Sequence, residues 1–163
     1  MNFDETNSNA SKYVKYMLNA LRNDRQYYEC DFEYEYTSFE EDIKQYCDSY
    51  ADFYISNGKC EIFFESLASI VEAVVECEAD AYDEDFFRPF ELITYYFGKL
   101  IFSAEDWLKN SIQKWLVNFC EEFNDDMIVR DYFKPFLSGK KIYHADNYYT
   151  GYPDFNKMIS VYK

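Results

Sequence analysis

Glycine and proline are scarce in this chain of 163 residues, which holds 4 Gly and 3 Pro. A phosphate-cradling loop needs several glycines close together, so neither a P-loop nor a dinucleotide fingerprint can be built. Histidine is scarcer still: His144 stands alone, and no serine or cysteine elbow accompanies it to form a nucleophile and base. The five cysteines are Cys30, Cys47, Cys60, Cys77 and Cys120. An odd count without any CxxC argues against a disulfide framework or a zinc site and for a reducing cytosol. No run approaches the roughly 18 apolar residues of a membrane span. The first residues, Met1-Asn2-Phe3-Asp4-Glu5, are polar and acidic, unlike a signal or transit peptide. The acidic segment from Asp80 to Asp85 lacks the glycine and the closing Glu of a calcium loop. The expectation is therefore a cytoplasmic protein, not an enzyme, with no catalytic residue, metal or cofactor.

Positive charge is also short. There are 16 Lys and Arg against 31 Asp and Glu, a net charge of −15. The imbalance is uneven. Residues 1–126 hold 28 acids and 10 bases (net −18), while residues 127–163 hold 3 acids and 6 bases (net +3). A body this acidic repels nucleic acid and anionic membrane surfaces and attracts basic ones. Hydrophobic residues reach 48%, which excludes a disordered acidic tail, because disorder requires low hydrophobicity as well as charge. The length suits one domain with a real core, so residues 1–163 are read as a single acidic globular domain. Aromatics are abundant, with 18 Tyr, 16 Phe and 2 Trp. Tyrosine can bury its ring and keep its hydroxyl wet, which suits both a core boundary and an interface.

Periodicity predicts about five helices. Asn9 or Ser11 can cap a first helix running to about Asn23, after a frayed start over residues 1–8, with Val14, Met17, Leu18 and Leu21 at helical spacing. Ser38 with Glu41 three residues later fits a capping box. The helix it opens carries Phe39, Ile43, Tyr46, Cys47, Tyr50 and Tyr54 on one stripe, and Asn57-Gly58 ends it. A third helix is expected over residues 61–79, where the β-branched cluster at 70–75 also allows a strand. A fourth runs from Pro89 to about Phe102. Ser103 caps a fifth, with Leu108, Ile112, Trp115, Leu116 and Phe119 facing inward. A short helix fits residues 125–133, before Pro135. Residues near 27–37, 141–144 and 158–162 read as strands of a small antiparallel sheet. The fold class is thus α+β, mostly helical, in one domain.

The strand at 27–37 carries the sharpest pattern. Bulky and acidic residues alternate from Tyr28 to Tyr36, which puts Glu29, Asp31, Glu33 and Glu35 on one strand face and Tyr34 and Tyr36 on the other. Carboxylates two residues apart on a strand are about 6.6 Å apart, broadly the pitch of phosphates along a nucleic-acid strand. The acids continue with Glu40, Glu41 and Asp42, and no base occurs from Glu29 to Ile43. A second base-free run extends from Cys60 to Phe87 and includes Glu61, Glu65, Glu72, Glu76, Glu78, Asp80, Asp83, Glu84 and Asp85. A third acid group is Glu121, Glu122, Asp125 and Asp126. Single charge runs are usually solvated faces. Surfaces shaped for solubility, however, intersperse both signs, and like charges at neighbouring positions cost stability. The simplest candidate to offset that cost is a basic partner surface.

In composition the chain resembles the phage and mobile-element inhibitors of restriction enzymes and CRISPR nucleases. That resemblance implies a nucleic-acid mimic acting in the cytoplasm of a bacterial host. It would fill the basic substrate groove of a nucleic-acid enzyme, without binding nucleic acid or membrane itself. The partner-binding residues would be Glu29, Asp31, Glu33, Tyr34, Glu35, Tyr36, Glu40, Glu41, Asp42, Asp80, Asp83, Glu84 and Asp85. The alternative is an immunity protein or antitoxin that neutralises a basic nuclease toxin. The two differ in partner and not in physics.

Overall fold

The computed structural model describes residues 2–22, 34–76 and 89–137. Every regular element among them is helical. They are α1 (Phe3–Arg22), α2 (Tyr34–Ser56), α3 (Cys60–Glu76), α4 (Pro89–Ser103), α5 (Asp106–Glu122), a π-helical turn (Val129–Phe133) and α6 (Lys134–Leu137). They fall into two compact units, within Met1–Phe86 and Phe87–Lys163.

This overturns the α+β expectation. No strand occurs among the described residues, and the part of the 27–37 strand that they include, from Tyr34 on, is the first turn of α2. The proposed partners at 141–144 and 158–162 lie outside the described residues. The physical reason lies in the residues that follow. Phe39, Ile43, Tyr46, Cys47 and Tyr54 are all buried, so the helical stripe anchors α2 firmly. Once a helix exists, adding residues to its start needs no new nucleus, and glutamate is a good helix former. Alternation across three or four residues does not distinguish the two periods. Ser38, predicted as a cap, is accordingly an interior residue of α2.

In the first unit, α1 begins earlier than periodicity suggests, because Asn2 caps it: Asn2 Oδ1 accepts a hydrogen bond from the Glu5 amide at 2.8 Å. Asp4 and Glu5 then sit in the first turn, favourably placed in the helix dipole. Gly58, with φ of 69°, closes α2. The Lys59 amide donates to the Tyr54 carbonyl at 2.8 Å and the Gly58 amide to that of Ile55 at 3.1 Å, the paired bonds of a Schellman ending. The segment at 70–75 is helical, so burial outweighs its β-branched propensity: Ile70, Val71 and Val74 are buried.

Tyrosine rings form much of this core. Tyr46 stacks on Tyr13 at 6.2 Å and on Phe63 at 5.7 Å, and Tyr54 stacks on Phe63 at 6.3 Å. Phe3 stacks on Phe53 at 5.2 Å, fastening the start of α1 to the end of α2.

In the second unit, α4 starts on Pro89, whose missing N–H is no loss at a helix start. It is buried on nearly every face, the mark of a central helix. Thr94 donates to the carbonyls of Phe90 and Glu91 at 2.8 and 2.9 Å, and so hides its hydroxyl inside the helix. Glu91 is buried within the first turn of the helix, where the dipole favours a carboxylate.

The cap of α5 is Glu105 and not Ser103. Trp115 lies between Phe97 (5.7 Å) and Phe119 (5.1 Å), and Phe133 meets Phe90, Phe97 and Phe119 edge-on. Phe133 lies at the end of the π-helical turn. Its hydrogen bonding spans one residue more than in an α-helix, with the Lys134 amide on the Val129 carbonyl, and Val129 and Phe133 are buried while Arg130 and Asp131 stay exposed. The helix does not stop before Pro135, which lies in the first turn of α6.

Candidate partner-binding surface

Helix α3 places its acids by spacing alone. Glu61, Glu65, Glu72 and Glu76 are separated by four, seven and four residues. At 3.6 residues per turn they fall within a sector of about 60°. The opposite side carries the buried Phe63, Leu67, Ile70, Val71 and Val74. The core thus fixes the rotation of the helix and turns the carboxylate row outward. Neighbours four apart rise roughly 6 Å along the axis, and the row extends for roughly 22 Å. Glu61, Glu65 and Glu76 are exposed and Glu72 is half-buried. Arg22 at the end of α1 meets Glu76 at 3.1 Å, so one cation closes the C-terminal end of the row.

Helix α2 repeats the device more weakly. Glu41, Asp48 and Asp52 share an exposed sector of about 40° at helical spacing. Lys44 interrupts it with a 3.0 Å ion pair to Asp48. Both helices end without a basic residue in the last turn, where a cation would have served the dipole. Over the described residues of the first unit there are 12 acids and 5 bases, a net of −7.

The structure sorts the sequence-predicted residues. Glu41 is exposed on α2 and free to meet a partner. Glu40 is half-buried. Asp42 is half-buried and accepts the Tyr13 hydroxyl at 3.0 Å, tying α2 to α1. Burial, and then this bond, push the Tyr13 hydroxyl pKa well up, so Asp42 serves the fold. Tyr34, Glu35 and Tyr36 have helical backbone, so the strand pitch does not pass through them. Glu29, Asp31, Glu33, Asp80, Asp83, Glu84 and Asp85 lie outside the described residues.

No group of metal-ligating side chains is assembled among the described residues. Cys47, Cys60 and Cys120 are buried thiols. Burial pushes Cys47 far up and Cys120 up to about 11, so neither is a thiolate nucleophile near neutrality. No helix among the described residues is long and apolar enough to cross a membrane.

Sequence reasoning passed over two exposed aromatics, Phe102 and Trp107. A signal existed for Trp107. It stands off the apolar stripe of Leu108, Ile112, Leu116 and Phe119 that α5 buries. Comparison of the chain with protein-family models, with curated proteins and with solved structures finds no match in any of the three.

Proposed function

We propose that this protein is a nucleic-acid mimic that inhibits a nucleic-acid enzyme by occupying its basic substrate groove. The observation that carries the reading is the glutamate row of α3: four carboxylates along one side of a rigid element, three of them exposed, with Glu61–Glu65 and Glu72–Glu76 each separated by about 6 Å, near the pitch of phosphates. Carboxylates accept bidentate hydrogen bonds from arginine much as phosphates do. A helix locked by its core presents them with little ordering left to lose on binding. The net charge of −15 adds long-range steering, which speeds encounter with a basic surface. A face that served solubility alone would be expected to carry interleaved lysines. Here α3 carries none.

Competition measures this directly. The protein should displace a labelled oligonucleotide from a basic restriction or CRISPR nuclease at low salt, and the apparent affinity should fall steeply as salt rises. Failure to displace nucleic acid from any such nuclease at low salt would overturn the mimic reading.

A further inference from the structure

We propose that the corner between α4 and α5 is a receptor for an arginine side chain of a partner protein. Phe102 is 56% exposed and Trp107 is 54% exposed, on either side of the short turn that joins the two helices. Tryptophan is among the residues enriched where binding energy concentrates at interfaces. The indole is also held. Its N–H donates to Glu105 Oε2 at 2.8 Å, which fixes the ring while leaving it exposed. Asp106, next to it, is exposed and has no ion-pair partner among the described residues.

These features together select a cation. An indole face attracts one through its quadrupole; the Glu105 carboxylate stands at its edge, and Asp106 adds a second exposed negative charge one residue away. Guanidinium fits better than ammonium. It stacks flat on the ring while its N–H donors remain in plane, free to reach the unused oxygen of Glu105 and the carboxylate of Asp106. The described residues of this unit hold 8 acids and 5 bases, a net of −3, so a basic segment meets no general repulsion. The inference rests on the reading of a basic partner, but it concerns a different unit and different residues.

The full-length protein, labelled with nitrogen-15, is titrated at low salt with a short peptide carrying three arginines and with its lysine twin. Trp107→Phe identifies the indole signal of Trp107, and the stacked Trp115 serves as internal control. The arginine peptide should shift the Trp107 signal and leave that of Trp115 in place. The lysine twin should bind at least about threefold more weakly. Trp107→Ala and Asp106→Asn should each lower the arginine-peptide affinity about fivefold. An unmoved Trp107 signal, equal response to both peptides, or unchanged affinity in Trp107→Ala overturns the receptor. Nuclease inhibition separates the two proposals. Peptide capture without inhibition removes the mimic and keeps the receptor; inhibition without peptide capture does the reverse.

Discussion

Two tyrosines that stack on Phe63 differ in what their hydroxyls find. Tyr54 donates to Asn7 Oδ1 at 2.7 Å, joining α2 to α1. The fully buried Tyr46 hydroxyl has no hydrogen-bond partner of good geometry among the described residues; the nearby Ser66 hydroxyl donates to the Ile62 carbonyl at 3.1 Å. Removing each hydroxyl should therefore act in opposite directions. Tyr46→Phe should leave stability unchanged or raise it by about 1 kcal/mol, because a buried unsatisfied group is lost. Tyr54→Phe should lower it by about 1 kcal/mol, because Asn7 loses its donor. Urea unfolding of the two variants checks the pair.

The same rings set the alkaline limit. Burial first, and for Tyr13 the bond to Asp42 next, raise the pKa values of Tyr13, Tyr46 and Tyr54 above that of the unfolded chain. A raised folded value means that the folded state holds its proton longer. Stability is untouched by these groups below the unfolded value near 10 and falls as pH climbs beyond it. Ultraviolet absorbance should show their tyrosinate appearing together with loss of the circular-dichroism signal, and not before it.

At the scale of elements, end chemistry and apolar stripes decide where helices stand. The stripes of α1, α2, α3 and α5 were legible because most of what the spacing marks is buried, as with Ile43 and Tyr46 or Leu108 and Ile112, while Leu18, Tyr50 and Trp115 at the margins of their stripes are half-buried. The Asn57-Gly58 stop was legible too, since a left-handed residue is needed there and glycine supplies it. Two starts were not. Asn2 caps α1 ahead of any periodic residue, so the apolar pattern held no trace of the first turn. The start of α2 was hidden by the alternation from Tyr28 to Tyr36, whose last three residues, the ones among the described residues, form its first turn. The α3 glutamate row was legible as spacing, but its exposure followed only from the packing behind it.

The ends are testable in isolation. Gly58→Ala should cost about 1 kcal/mol from backbone strain alone, because a methyl group there meets no atom within 4 Å. Asn2→Ala should cost about 1 kcal/mol by leaving the Glu5 amide uncapped. Thermal unfolding of each variant measures both effects.

For the whole molecule, charge acts on stability and on binding with opposite signs. Glu41, Glu61 and Glu65 are exposed and have no ion-pair partner among the described residues. Glu61 and Glu65 face the same side four residues apart, where like charges destabilise a helix. Replacing all three with glutamine keeps shape and polarity and removes three charges from a molecule at −15. The urea midpoint of this triple variant should rise at low salt, and the gain should shrink as salt screens the repulsion in the parent protein. If the rows were solvated faces and nothing more, the substitution would be an improvement without loss. If they stand in for phosphates, the more stable protein should be the poorer competitor for a nuclease groove. Its inhibition should also depend less steeply on salt, because fewer charge contacts form. Asp42→Asn is the contrast. Its carbonyl oxygen can still accept the Tyr13 hydroxyl, so the fold should hold, and competition should change little because Asp42 already serves the α1–α2 contact. A triple variant that gains stability and loses no potency would reduce the charge of α2 and α3 to solubility.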